Sequence, residues 1–464
     1  MSDRELNCHF DPQLSAELHN SILKHAWLGA GRDIASLPCT SWWEEASPIP
    51  FEVASSLKPS LIQFLRSAKF SIPVSNSDFH FFYYLHGLTE KDFLLRFSTL
   101  DSCGDRYVWL YSSTCSQSDE EVGIVFDQET ELAAFLTDWQ YVNFDLPESW
   151  PWKPLQMILQ AYLEMIEQDK VTKYSDPNIE IESLYQPSRY FPWEIHQHTQ
   201  RDVDKAVDAF IRLLDAIETR RPPKPKLNIK ISGDSDINGL KLPYSSTTID
   251  HLFPRGNPNP FARDFLLALP TRHISFRHIA PGIRIQTLAE IVAQPFASLH
   301  DNFERLTKDQ ENPRFSPFLL FRGDAKNRSP WVRPWFPDGN AEDIPVGLYL
   351  DAVRKSISTD SGNESRLLLP FEVGNRGYAR SGNGVLLSRY DDTYDKLYRV
   401  YHSSGILPRD SQSSAIHKVL RNWAERIEMG DWEVDDDGVV DGIEKFKDAD
   451  TPESWKKYQT SWWD

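Results

Sequence analysis

Residues 148–171 read ESWPWKPLQMILQAYLEMIEQDKV. Leu155, Ile158, Leu159, Tyr162, Leu163 and Ile166 recur at three- and four-residue spacing, and Gln156, Gln160, Glu164, Glu167 and Gln168 fill the other side, so the stretch predicts a helix with a wide apolar face. Pro154 stands near its start, where a missing N–H costs least, and the rings of Trp150 and Trp152 can pack over the incoming chain. A helix of this kind belongs in a core; it decides fold and carries no chemistry.

Upstream the period changes. FHFFYYLHG, KDFLLRFSTL, DRYVWLYSST and EVGIVFDQ, between Phe79 and Phe126, are short aromatic and β-branched runs separated by turn residues, which predicts an antiparallel meander of three or four strands. A helix over about Glu129–Trp139 is then expected to lead into the central one. Nearer the start, Asp11 and Pro12 open a helix whose stripe is Leu14, Leu18, Ile22 and Ala26, with Gly29 as its stop. SWWEEASPIPFEV reads as irregular, and a short helix follows near Leu57–Ala68.

Downstream, 172–200 looks irregular, after which Val203, Val207, Phe210, Leu214 and Ile217 mark a helix over 202–220 that Pro222 ends; it is expected to pack on the central helix. Strands are expected around Leu227–Ile231, Arg272–Ile279, Phe318–Arg322, Leu367–Val373 and Val385–Tyr390, and helices at Phe261–Leu269, Thr287–Ala293 and about Ser413–Met429. The fold class is therefore α+β, a mostly antiparallel sheet packed with long amphipathic helices. No Gly/Ser linker or long single-charge run cuts the chain, so residues 1–10 are expected to be a flexible N-terminus and 11–464 a single compact domain, with 172–225 as the place where two lobes would meet.

The 464 residues carry 50 basic and 68 acidic side chains, a net charge of −18, which opposes loose binding to polyanions or anionic membranes and confines any nucleic-acid contact to a local basic patch. No apolar run is long enough to span a bilayer and MSDRELNCHF lacks the apolar core of a signal peptide, so a cytoplasmic protein without membrane contact is expected. Cys8, Cys39, Cys103 and Cys115 show no CxxC spacing and read as reduced thiols, a Cys103–Cys115 disulfide across a hairpin being the alternative.

Four features could carry chemistry. Glu194, His196 and His198 alternate in EIHQH and would share one side of an extended segment, as a divalent metal needs, yet no HExxH supports them. Gly382-x-Gly384 precedes a strand and lacks the third glycine of a dinucleotide loop; GxxxxGK[ST] and GxSxG are absent. Arg272, His273, Arg277, His278 and Arg284, then Arg314, Arg322, Lys326, Arg328 and Arg333 interleaved with Trp331, Trp335 and Phe336, could hold phosphates and stack an unpaired base; the bland alternative is surface arginines with packed stems and solvated heads. Asp391, Asp392 and Asp395 in DDTYD, and Asp435, Asp436, Asp437, Asp441 and Glu444 in DDDGVVDGIE, could serve as a base or grip a guanidinium, or be solvated loops.

HIAPGIRIQT at 278–287, GNRGYARSGNGVL at 374–386 and DDDGVVDGIEKFKDADTPESWKKY at 435–458 resemble the fungal arginine-containing cyclodipeptide synthases. The resemblance implies an aminoacyltransferase of secondary metabolism that closes an arginyl and a second aminoacyl group, each supplied by an aminoacyl-tRNA, to a diketopiperazine. The family's DDxxE motif has its nearest match in Asp391-Asp392-Thr393-Tyr394-Asp395, with Asp in the last place. On this reading Asp391, Asp392 and Asp395 are the catalytic or arginine-recognising groups, and Arg322, Lys326, Arg328, Arg333, Trp331 and Trp335 bind the aminoacyl-tRNA. An aminoacyl ester is already activated, so no cofactor, metal or DNA partner is expected. Two other classes stay open: a non-catalytic protein-interaction module, and a metal-dependent hydrolase or transferase using EIHQH.

Overall fold

Asp11 accepts the backbone N–H of Leu14 at 3.0 Å and Pro12 takes the first helical position, so α1 (Pro12–Gly29) begins where its cap dictates. The protein is described by a computed structural model at residues 9–70, 79–99, 104–113, 121–138, 152–173, 191–196, 198–223, 240–242, 247, 249, 260–295, 317–324, 344–350, 364–382, 386–387, 394–399 and 414–460. It is a mixed α+β protein whose sheets are mostly antiparallel. The chain divides into two compact units, one holding the described residues up to His196 and the other those from His198 onward. The expected flexible N-terminus falls largely outside the described residues, as do the expected strand at 227–231 and Cys8, Cys103 and Cys115; Cys39 is a free, exposed thiol.

In the first unit, α1 buries Ala16, Leu18, Ile22, Leu23 and Ala26 against α4 (Pro59–Ser67) and α5 (Leu155–Glu167), the central helix. SWWEEASPIPFEV holds two short helices rather than an irregular coil, α2 (Trp42–Glu45), closed by a Ser41/Glu44 capping box, and α3 (Phe51–Ser56). Strands β1 (Leu85–Leu88), β2 (Tyr107–Ser113), β3 (Glu121–Asp127) and β4 (Leu132–Asp138) form the four-stranded meander, in sequence order. The helix expected over 129–139 is β4 instead. Asp127 decides this: its carboxylate accepts the Glu129 N–H and the Thr130 hydroxyl, each at 2.9 Å, and pairs bidentately with Arg106, while Glu131 takes φ 57°, turning the chain back at once. A short ladder of β5 (Val171–Lys173) and β6 (Trp193–Ile195) completes this unit.

In the second unit, α6 (Gln200–Arg220) starts at a Thr199/Asp202 capping box and buries Val203, Ala206, Phe210, Leu213, Leu214 and Ile217. Its partner is not the central helix, as expected, but α9 (Ile416–Glu428), whose Ile416, Val419, Leu420, Trp423 and Ile427 share its core; Arg212 adds a bidentate pair to Glu428. The central helix in turn finds its helical partner, α1, inside its own unit, so each stripe is satisfied locally. Short helices α7 (Pro260–Ala268) and α8 (Leu288–Val292) lie near the expected positions.

Two strands, β7 (Leu240–Leu242) and β8 (Arg272–Ile274), pair separately. The main sheet has eight: β9 (His278–Ala280), β10 (Ile283–Ile285), β11 (Phe318–Gly323), β12 (Gly347–Leu350), β13 (Glu364–Leu368), β14 (Ser414–Ala415), β15 (Val434–Asp435) and β16 (Gly438–Val439), in the order β14-β13-β12-β11-β10-β9-β16-β15. Every described pairing in it is antiparallel except β16 on β9. The run expected as one strand over 272–279 is thus split between two sheets. The strand expected over 367–373 ends at Leu368, and at Val385–Tyr390 the described residues show only a bridge between Leu386 and Arg380.

Candidate functional site on the main sheet

Register sorts the main sheet into two faces. Ile283, Ile285, Phe321, Leu348, Leu350 and Leu367 alternate onto one and join the core beneath α6 and α9. The opposed residues fall on the other: His278 across from Arg284, Arg284 from Arg322, Arg322 from Gly347, and Tyr349 from Arg366. Leu319, Tyr349 and Leu368 form a small apolar island there. Burial pushes the Tyr349 phenol well above its ordinary range, so it is a neutral donor, and it gives its proton to the Pro345 carbonyl at 2.5 Å.

Three arginines, on β10, β11 and β13, make this face polar, and two are held by carboxylates. Arg284 grips Glu290 with two bonds, 2.7 and 2.5 Å, and Asp324 with a third of 3.0 Å. That guanidinium holds Glu290 down to about 2, far below an ordinary glutamate, and Glu290 also closes the Thr287 capping box of α8. Arg366 and Arg399 flank the nearly buried Asp395 at 3.5 and 3.6 Å. Arg322, partly buried between them, has no ion pair or side-chain hydrogen bond among the described residues.

Of the remaining basic residues of TRHISFRHIAPGIR, Arg272, Arg277 and His278 are committed, and His273 is exposed. Arg272 reaches Asp215 and Glu218 of α6, at 2.8 and 2.7 Å. Arg277 pairs with Asp437 at 2.8 Å and lowers its carboxyl below the ordinary range, and His278 stands between Asp324 at 2.6 Å and Asp437 at 3.4 Å. The DDDGVVDGIE segment is therefore a hairpin, β15–β16, docked on the sheet edge, where the backbone N–H groups of Arg277 and His278 both donate to the Asp437 carbonyl. The shallow groove along α6 is consumed likewise, by Arg212 on Glu428 and Arg220 on the Glu428 carbonyl.

Of the residues singled out from sequence, Asp391, Asp392, Lys326, Arg328, Trp331, Arg333 and Trp335 lie outside the described residues; Arg322 and Asp395 lie on or beside the polar face. In EIHQH, His196 is held by the Thr172 hydroxyl at 2.8 Å and His198 by Asp264 at 2.9 Å. Among the described residues no cluster of three or more His, Cys, Asp or Glu could hold a metal ion. A Cβ on Gly382 would stand 2.6 Å from the Thr460 hydroxyl, so that glycine answers to the chain's own packing and not to a nucleotide.

Residues that single-sequence reading missed are Asp324, Glu290, Arg366, Arg399 and Asp450. Only Glu290 had a local signal, the T-x-x-E spacing of a capping box. Asp450 is 5% exposed and its two oxygens accept four backbone N–H groups, from Gly374 at 3.0 Å, Arg376 at 2.6 Å, and Tyr378 and Ala379 at 2.9 Å. Burial works against its charge, but the four donors outweigh it and hold the carboxyl below its ordinary range. Comparison of the chain with protein-family models, curated proteins and solved structures gave no match.

Among the described residues no helix is long and apolar enough to cross a membrane.

Proposed function

We propose that the chain is a tRNA-dependent cyclodipeptide synthase joining an arginyl group and a second aminoacyl group, working in the cytoplasm without DNA, membrane or cofactor. The observation that carries this reading is the adjacency of the three segments bearing the family resemblance, far apart in sequence. His278 pairs with Gly438, the Gly282 N–H donates to the Asp441 carbonyl at 2.9 Å, and Asp450 clamps 374–379.

In the chemistry, the α-amine of one aminoacyl ester attacks the carbonyl carbon of the other, the C–O bond to the tRNA ribose breaks, and the amine proton passes through a base to the leaving ribose oxygen. A second attack by the remaining amine closes the ring and releases the second tRNA, with no redox change. Asp391 and Asp392 are assigned as base or arginine-recognising groups. Asp395, already neutralised by Arg366 and Arg399, serves to hold those guanidiniums in place. Arg322, with Lys326, Arg328 and Arg333, is assigned to phosphates, and Trp331 and Trp335 to stacking.

The test is expression in a host with ordinary aminoacyl-tRNA and mass spectrometry of the medium. An arginine-containing diketopiperazine, lost in Asp391→Asn with Asp392→Asn, is the expected result. Soluble, folded protein that yields none overturns the proposal.

A further inference from the structure

We infer that the loop 374–382 is a second nucleic-acid contact, with Tyr378 stacking an unpaired base and Arg376 holding a phosphate; the inference rests on the tRNA reading above. Four backbone N–H groups of this loop end on one buried carboxylate, and Gly374 and Gly377 take φ values of 113° and 82°, which L side chains rarely adopt. The backbone is thus fixed without belonging to a helix or strand. What projects is side chains: Asn375, Arg376 and Tyr378 are all exposed, Tyr378 by 42%. A ring on a fixed backbone loses little freedom when it stacks.

The surroundings suit a polyanion with flat faces. The Arg380 guanidinium lies 4.7 Å from the Trp455 ring centre and Lys456 5.4 Å from the same ring, while Lys447, 4.6 Å from the Phe371 ring, is taken up by Glu444. Two nearby carboxylates are paired with cations, Glu444 with Lys447 and Asp448 with Lys445 at 3.1 Å, while exposed Glu372 accepts from the neutral Asn375 amide at 3.1 Å. Arg376 has no ion pair or side-chain hydrogen bond among the described residues. An acidic peptide would use these charges but has no need of an upright ring. The single-stranded acceptor end of a tRNA offers both a phosphate and an unstacked base.

Fluorescence anisotropy with a labelled single-stranded RNA, a whole tRNA and a poly-glutamate peptide tests it on the full chain. Tyr378→Ala should weaken both RNAs by about 5- to 100-fold with little change in salt slope, Tyr378→Trp should restore binding, and Arg376→Ala should flatten the slope of log affinity against log salt by about 0.7. Both positions are exposed, and thermal melts check that each variant stays folded. If the parent binds tRNA but Tyr378→Ala binds it equally well, or Tyr378→Trp fails to rescue, this inference falls and the synthase reading stands. If poly-glutamate binds more tightly than RNA, the loop is a peptide site and the inference is wrong. If the parent binds no tRNA at all, the synthase reading itself fails, and this one with it.

Discussion

His19 should make the first unit sensitive to mild acid. The ring is 2% exposed, stacked on Phe81 at 4.6 Å between ring centres, with Nε2 2.8 Å from the Lys69 carbonyl and Nδ1 2.8 Å from the Tyr111 hydroxyl. A carbonyl can only accept, so Nε2 carries the proton and Nδ1 accepts from the Tyr111 hydroxyl; the neutral ring satisfies both contacts, and a second ring proton would force that hydroxyl to turn from donor to acceptor and put a charge in a buried site. Burial, only partly offset by the Lys69 carbonyl, lowers the imidazolium from 6.5 to about 4. Between those values the unfolded chain holds more protons than the folded one, so stability is full above about pH 6.5 and falls as the pH falls. The gap is worth about 3 kcal/mol once the pH is below 4, and about 2 kcal/mol at pH 5. Urea unfolding at pH 7 and pH 5, on the parent and on His19→Gln, isolates the effect: Gln can donate to Lys69 and accept from Tyr111 but does not titrate. The variant is expected to be weaker at pH 7, through imperfect packing, yet to lose about 2 kcal/mol less than the parent on going to pH 5. Parallel pH dependences for the two proteins would refute the reasoning.

Three further outcomes are expected. Asp127→Asn leaves Arg106 without its bidentate partner and loosens the β3–β4 turn, which should cost about 3 kcal/mol in urea unfolding and leave Glu129→Ala, on the exposed side of the same arginine, near the parent. Arg322→Ala removes a guanidinium with no described partner, so stability should change by less than about 0.5 kcal/mol while tRNA affinity and its salt slope both fall; an unchanged affinity would take Arg322 out of the binding face. Asp450→Asn turns an amide NH₂ toward backbone donors and should cost about 3 kcal/mol, with trypsin then cutting faster after Arg376; equal cleavage of variant and parent would show that the clamp does not hold the loop.

Where local chemistry suffices, the chain could be read directly. The start of α1 is written in Asp11 and Pro12, and α5, α6 and α9 in their apolar stripes. β4 failed for a definite reason. Ala133 and Phe135 sit in one core and Ala134 and Leu136 in another, so both faces are covered and no alternation survives; what is left, ETELAAFL, imitates a helix. Strands β9, β10, β15 and β16 have two or three residues each, too few for any period, and exist because long-range register recruits them. The helix pairing went wrong because a stripe states that a helix has a partner and not which one.

The site was half legible for a related reason. The arginines of TRHISFRHIAPGIR stand out as a cluster, but whether a cluster is free to bind anything depends on acids at 215, 218, 324 and 437, which only the fold brings to it. Subtracting those pairs changes the candidate list: Arg272, Arg277 and Arg284 drop out, Arg322 remains, and Arg376, which the sequence did not single out, is added. Desolvating a charge costs several kcal/mol unless partners repay it, and an apolar packing of the same volume is often as stable. One face of the main sheet took that apolar solution, Ser365 apart. The other keeps its arginines, Arg284 and Arg366 against carboxylates and Arg322 partly buried with no described ion pair or side-chain hydrogen bond.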